Sequence, residues 1–153
     1  MHNLHEENTI YLEHKLKLQK NGLYLKDIDN QTDELCDIAV NEIGQSIKYV
    51  KNQTKDLCIK AINQNPFSIR YIKEQTEELL ILAVQKDGMV LESIKNPSEN
   101  VCKAALLQNG YAIKFIKNPS EEMIRIASFR NGCADYDIVL WKKFIEFEFK
   151  IKM

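Results

Sequence analysis

The sequence predicts an all-α fold: a right-handed α-solenoid of about five 22-residue helix–turn–helix repeats between degenerate N- and C-terminal caps. Three observations carry this. Thr32, Thr54, Thr76, Ser98 and Ser120 stand 22 residues apart, and Ala39, Ala61, Ala83, Ala105 and Ala127 keep the same interval without insertion or deletion. Gly22, Gly44, Gly88, Gly110 and Gly132 mark the same beat, with Pro66 where one glycine is missing. Between these landmarks apolar residues recur at helical spacing. A fixed interval of this length is the signature of stacked supersecondary units.

Composition suits one repeat domain over residues 1–153, with an N-terminal cap at 1–22, repeats at 23–132 and a C-terminal cap at 133–153. The 44% hydrophobic content is ample for a continuous core, which argues against disorder. No apolar run approaches the roughly 20 residues of a membrane span. The opening MHNLHEENTI is polar rather than a signal peptide, so the expected location is the cytoplasm, without membrane contact. A net charge of −1 gives no bulk preference for nucleic acid.

In chain order, residues 1–22 form a degenerate first unit, with Thr9, Leu12, Leu16 and Leu18 ahead of Gly22. An end unit with a more polar face is what stops a stack from growing. His2, His5 and Glu6 are the candidate surface metal ligands there, although a solvated cap explains them more simply, and no cofactor is expected.

Each full repeat then opens a helix A at its Thr or Ser, whose hydroxyl accepts a backbone N–H. Acidic pairs such as Asp33-Glu34, Glu77-Glu78 and Glu121-Glu122 meet the positive end of the helix dipole. The third helical position is apolar (Leu35, Leu57, Leu79, Val101, Met123), and with Cys36, Ala39 and Val40 and their equivalents it makes an inward stripe about three turns long. The recurring alanine implies close backbone approach. Glycine is expected to end helix A by adopting the left-handed conformation. At Asn65-Pro66, asparagine caps and proline starts the next helix, with a local bend.

A short helix B follows, for example QSIKYVK from Gln45 to Lys51, with Ile47 and Val50 inward and a partly 3₁₀ character. After Gly132 the repeat fades. Residues Ile138 to Ile145, including Trp141 and Phe144, are apolar enough to cover the last exposed face, and the alternation in FEFKIKM favours a short C-terminal strand.

Cys36, Cys58 and Cys102 share one slot in three repeats, so stacking holds their Cα atoms too far apart for a disulfide and they read as core residues. The chain is not expected to be an enzyme. Histidines are confined to the first 14 residues, which leaves no base for a nucleophile, and single recurring glycines make no phosphate loop. Asn30-Gln31-Thr32 and Asn52-Gln53-Thr54 match glycosylation acceptors only formally, being the repeat's own turn.

Helix B carries the candidate binding residues. Four residues after each landmark come Lys26, Lys48, Arg70, Glu92 and Lys114, and seven after come Asp29, Lys51, Lys73, Lys95 and Lys117. Eight of these ten are basic, and at α-helical geometry the two slots are about 60° apart, so they line up along the stack. With Tyr49, Tyr71 and Phe115 beside it, the stripe suits a protein partner or, alternatively, single-stranded RNA or DNA. The plain structural reading is that these lysines balance helix dipoles and neighbouring acidic first turns.

Units of the form NPSEEMIRIASFRNG followed by YAIKFIK, drawn from Asn118–Gly132 and Tyr111–Lys117, resemble the short tandem helical repeats of unknown function that abound in giant-virus proteins and occur in some phages and bacteria. The likeness spans about residues 23–132. In plan the repeats also look like leucine-rich repeat variant solenoids, which pair an α-helix with a 3₁₀-like helix in a right-handed superhelix, though this chain lacks that family's cysteine-rich start. Neither resemblance supplies catalytic residues. What they imply is a non-enzymatic protein–protein interaction scaffold, in its sharper form a viral or phage regulator or inhibitor of a host protein, acting then in the host cytoplasm.

Overall fold

After a 17-residue first helix, ten-residue α-helices alternate with six-residue 3₁₀ helices in the computed structural model, which describes residues 4–132. The expected C-terminal cap and strand, and Cys133, lie outside the described residues, as do the side chains of His2 and His5. All regular structure among the described residues is helical, in the expected repeating pattern. The chain divides into two compact units, residues 1–75 and 76–153.

The first unit contains α1 (Leu4–Lys20), η1 (Gly22–Asp27), α2 (Asp33–Glu42), η2 (Gly44–Tyr49), α3 (Lys55–Gln64) and η3 (Pro66–Tyr71). Here α1 packs on α2 and α2 on α3, while η1, η2 and η3 stack in the same order, giving two layers with the core between them. The second unit contains α4 (Glu77–Lys86), η4 (Gly88–Ser93), α5 (Glu99–Gln108), η5 (Gly110–Phe115) and α6 (Glu121–Arg130), layered the same way.

Each α-helix after the first starts as the sequence predicts. The hydroxyls of Thr32, Thr54, Ser98 and Ser120 accept the backbone N–H three residues on at 3.3 Å, and Thr76 does so at 3.5 Å. The inward stripe is buried as well: Leu35, Cys36, Ala39 and Val40 in α2 recur as Leu57, Cys58, Ala61 and Ile62 in α3. In α5 the same slots hold Val101, Cys102, Ala105 and Leu106, also buried. The three described cysteines are free.

Helix B is 3₁₀ in all five described copies; in η2 it buries Ile47, and Val50, the extended C-cap residue whose N–H bonds the Ile47 carbonyl, is buried too. Asn65 caps η3 by accepting the Phe67 N–H at 3.0 Å, with Pro66 at the helix start. Its φ and ψ of −149° and 109° repeat those of Asn109, so the cap at Pro66 has the regular backbone.

The degenerate first unit is a single 17-residue helix, α1, which runs unbroken through Thr9. Leu18 is fully buried, while Leu12 and Leu16, one turn apart, stay more than half exposed among the mostly polar exposed residues of α1. One expectation fails: among the glycines only Gly132 is left-handed, at φ 74°, so the others do not close helices by that route. Their conserved beat has another cause: a β-carbon on Gly22, Gly44, Gly88 or Gly110 would stand 2.2 to 2.6 Å from the carbonyl oxygen of the alanine 17 residues later. Glycine and alanine are two halves of one inter-repeat contact.

Candidate interaction surface

The ten predicted binding residues separate into two groups with different jobs. In slot four, Lys48 and Arg70 are exposed on neighbouring 3₁₀ helices of the first unit, and Lys26 occupies the same slot on η1. The Lys48 ammonium lies over two rings, 4.5 Å from the Tyr49 centroid and 5.6 Å from that of Tyr71 in the following repeat. The Arg70 guanidinium stands 5.3 Å from the Phe67 ring. Lys114 in the second unit sits 4.9 Å from Phe115. Such cation–π contacts are worth roughly 0.5–1 kcal/mol at exposed sites. They hold the charges above a half-buried aromatic floor.

Slot seven is not on helix B. The 3₁₀ helices end before Lys51, Lys73, Lys95 and Lys117, so these residues occupy the following turns and the expected 60° relation does not arise. Lys51 and Lys73 have a structural task instead. The Lys51 ammonium donates to the Asp29 carbonyl at 2.7 Å, and Lys73 donates to the Lys51 carbonyl at 2.9 Å, each reaching back one repeat. Lys95 and Lys117 are exposed in the corresponding turns of the second unit.

The acidic first turns turn to other partners. Glu34 takes the Lys15 ammonium at 2.6 Å and the Tyr11 hydroxyl, and these hydrogen bonds hold its carboxyl below the ordinary range. Lys60 bonds Asp37 at 2.7 Å. Lys103 bridges Glu99 at 2.9 Å and Glu122 at 2.7 Å, joining α5 to α6. These pairs lie within an α-helix or join it to the next one.

A row of glutamines just before the caps does work that the sequence reading missed. Gln53 Nε2 donates to the Ile47 carbonyl at 2.8 Å and the Tyr71 carbonyl at 3.1 Å, while its Oε1 accepts the Lys73 N–H at 2.9 Å. Gln31 makes the same three bonds to Leu25, Tyr49 and Lys51. The signal was the 22-residue spacing of Gln31, Gln53 and Gln75, replaced by Pro97 and Pro119 in the second unit. A second glutamine pair, Gln64 and Gln108, accepts the N–H of Gly44 and Gly88 at 2.8 and 2.6 Å, tying each helix end to the repeat before it.

An open groove of about 490 Å³ between α2 and α3 is lined by Asp33, Glu34, Asp37, Asp56 and Lys60. Among the described residues no group of three His, Cys, Asp or Glu side chains is placed to hold a metal ion, and no helix is long and apolar enough to cross a membrane. The His2, His5 and Glu6 metal set lies partly outside the described residues. No protein family, curated protein or solved structure matches this chain.

Proposed function

We propose a non-enzymatic protein-interaction module that receives an acidic segment of a partner protein on the 3₁₀ face of its first unit. The observation that carries this reading is Lys48, an exposed cation poised over Tyr49 and Tyr71 from two successive repeats. Arg70 over Phe67 continues the same face. Tyrosine and arginine are the residue types in which binding energy concentrates at protein interfaces. Here they stand on stacked helices that need little ordering on binding, which lowers the cost of association.

The same geometry weighs against single-stranded nucleic acid. Bases stack on open ring faces, and here the ammonium of Lys48 already covers them. Two of the lysines counted toward phosphate contacts, Lys51 and Lys73, are spent on backbone carbonyls. The sharper form, a viral or phage regulator of a host protein, rests on the repeat resemblance.

The test is capture of partners from candidate host cells on the full chain, compared with Lys48→Glu/Arg70→Glu. A saturable protein partner lost in the variant, at unchanged circular dichroism, supports the reading. Tight binding of single-stranded RNA or DNA, weakening with salt at a log–log slope of about −0.7 per phosphate and lost in the same variant, would establish the alternative.

A further inference from the structure

The cations of the 3₁₀ face stand at a regular step that a ligand has to match. Lys26, Lys48 and Arg70 hold one slot on η1, η2 and η3, and each is exposed. They are the basic residues of those three helices, which stack in order within the first unit. The Lys48 ammonium lies 4.5 Å from the Tyr49 centroid and 5.6 Å from that of Tyr71, so these rings, in equivalent slots of successive repeats, are at most about 10 Å apart. Packed helices lie about 8–10 Å from one another. The row therefore presents one cation every 8–10 Å or so.

This row is also narrow. Lys51 and Lys73, in the turns beside it, give their ammonium groups to the carbonyls of Asp29 and Lys51. The large apolar side chains that stand exposed among the described residues are on α1, α5, η5 and α6, and none is on η1, η2 or η3. A ligand helix docks by laying an apolar face into an apolar groove, which this face does not offer. An extended chain needs only a line of contacts. In a β-strand, residues three apart face opposite sides. In a polyproline II helix three residues make one turn and advance about 9.3 Å, so every third side chain points the same way, at a spacing that matches the row.

We propose, resting on the acidic-segment reading above, that the segment received here is a proline-rich polyproline II stretch with Asp or Glu at every third residue. Its carboxylates meet Lys26, Lys48 and Arg70 in turn, one to each repeat. Arginine suits the role because its planar fork can hold a carboxylate through two parallel hydrogen bonds. Proline holds the ligand in this conformation before it binds, so little freedom is lost on docking. Asp27 adjoins Lys26 at the slot that holds Tyr49 and Tyr71 in the next two repeats, which makes Lys26 the weakest of the three contacts.

The test titrates fluorescein-labelled peptides with the full chain at low ionic strength, where exposed ion pairs are least screened, and follows anisotropy. Polyproline hosts carry the same number of aspartates at every second, every third or every fourth residue; a further peptide replaces the prolines of the third-residue design by glycine, and an alanine-rich helix carries Glu at every seventh residue. The every-third proline peptide should bind roughly 2- to 25-fold tighter than the other two spacings, the worth of two exposed ion pairs, and tighter than its glycine counterpart. Lys48→Met should weaken it by about 1.4- to 5-fold, the worth of one pair. Lys48→Glu/Arg70→Glu should lose it at unchanged far-ultraviolet circular dichroism. Equal affinity for all three spacings, lost in the double variant, would overturn the three-residue period and leave the acidic-segment reading standing. Tighter binding of the helical peptide would overturn the extended ligand. Failure of every acidic peptide to bind, or binding that survives the double variant, would overturn both.

Discussion

Gly44 lies against the carbonyl oxygen of Ala61, so close that a β-carbon on Gly44 would stand 2.6 Å from it. That oxygen also accepts the Asn65 N–H at 2.9 Å, the bond that ends α3. A side chain at Gly44 must therefore displace backbone that is already fixed by hydrogen bonding.

Gly44→Ala should destabilise the protein by roughly 1–3 kcal/mol, the range for overpacking a tight contact. Gly132 differs, because its need for glycine is the left-handed backbone and a β-carbon there meets nothing within 4 Å. Gly132→Asn, a residue that tolerates this conformation, should cost little. Gly44→Asn should be at least as damaging as Gly44→Ala. Urea unfolding of the variants separates the two causes; equal tolerance of asparagine at both sites would refute the contact.

Gln53→Ala removes three hydrogen bonds, to η2, to η3 and to the turn that follows η3. At about 1 kcal/mol per bond, a loss of roughly 2–3 kcal/mol is expected in thermal or denaturant unfolding. Amide exchange adds a local readout: the Lys73 N–H, whose acceptor is gone, should exchange faster. Gln53→Glu should fall between, because the carboxylate still accepts that N–H but cannot donate to the two carbonyls.

What could be read from the sequence was whatever depends on residues near in the chain. Thr32 bonds Leu35 three residues away, and the stripe from Leu35 to Val40 declares its own periodicity. What could not be read depends on contacts about one repeat away. Gly44 follows a familiar local rule for helix ends, yet its partner is Ala61; Lys73 looks like a solvent-facing charge, yet its ammonium is held by the Lys51 carbonyl.

Ser46 and Ser68 are fully buried, and neither hydroxyl has a hydrogen-bond partner. The equivalent positions in the second unit hold Val90 and Ala112, which are also fully buried. Because an unsatisfied buried hydroxyl carries a desolvation penalty of about 1–3 kcal/mol, Ser68→Ala should be neutral to stabilising by about 1 kcal/mol. A clear loss of stability would show that the hydroxyl is satisfied in solution.

Burial pushes the thiols of Cys36, Cys58 and Cys102 above their ordinary pKa, with acidic neighbours adding to the effect at Cys36 and Cys102. The folded state therefore keeps thiol protons that the unfolded chain releases above about pH 8.5. Fewer protons bound in the unfolded state means that stability falls as pH rises through that value and stops falling once the folded-state thiols ionise. The measurement is the alkaline limb of stability against pH, which should flatten in the Cys36→Ala/Cys58→Ala/Cys102→Ala variant.

Lys48 and Lys73 should differ in what the same substitution does. Lys73 donates to the Lys51 carbonyl, so Lys73→Met should lower stability, by roughly 0.5–1.5 kcal/mol for one hydrogen bond, and speed exchange in the turn around Lys51. Lys48 pairs with the Tyr49 side chain and lies over the Tyr49 and Tyr71 rings, so Lys48→Met should cost roughly 0.5–1 kcal/mol per lost cation–π contact and leave exchange in the turn around Lys51 unchanged. Partner binding should depend on Lys48 rather than on Lys73, because Lys48 presents its charge outward over Tyr49 and Tyr71 while Lys73 has committed its own. A partner that tolerates Lys48→Met but is lost with Lys73→Met, at matched helix content, would move the contact from the 3₁₀ face to the turns.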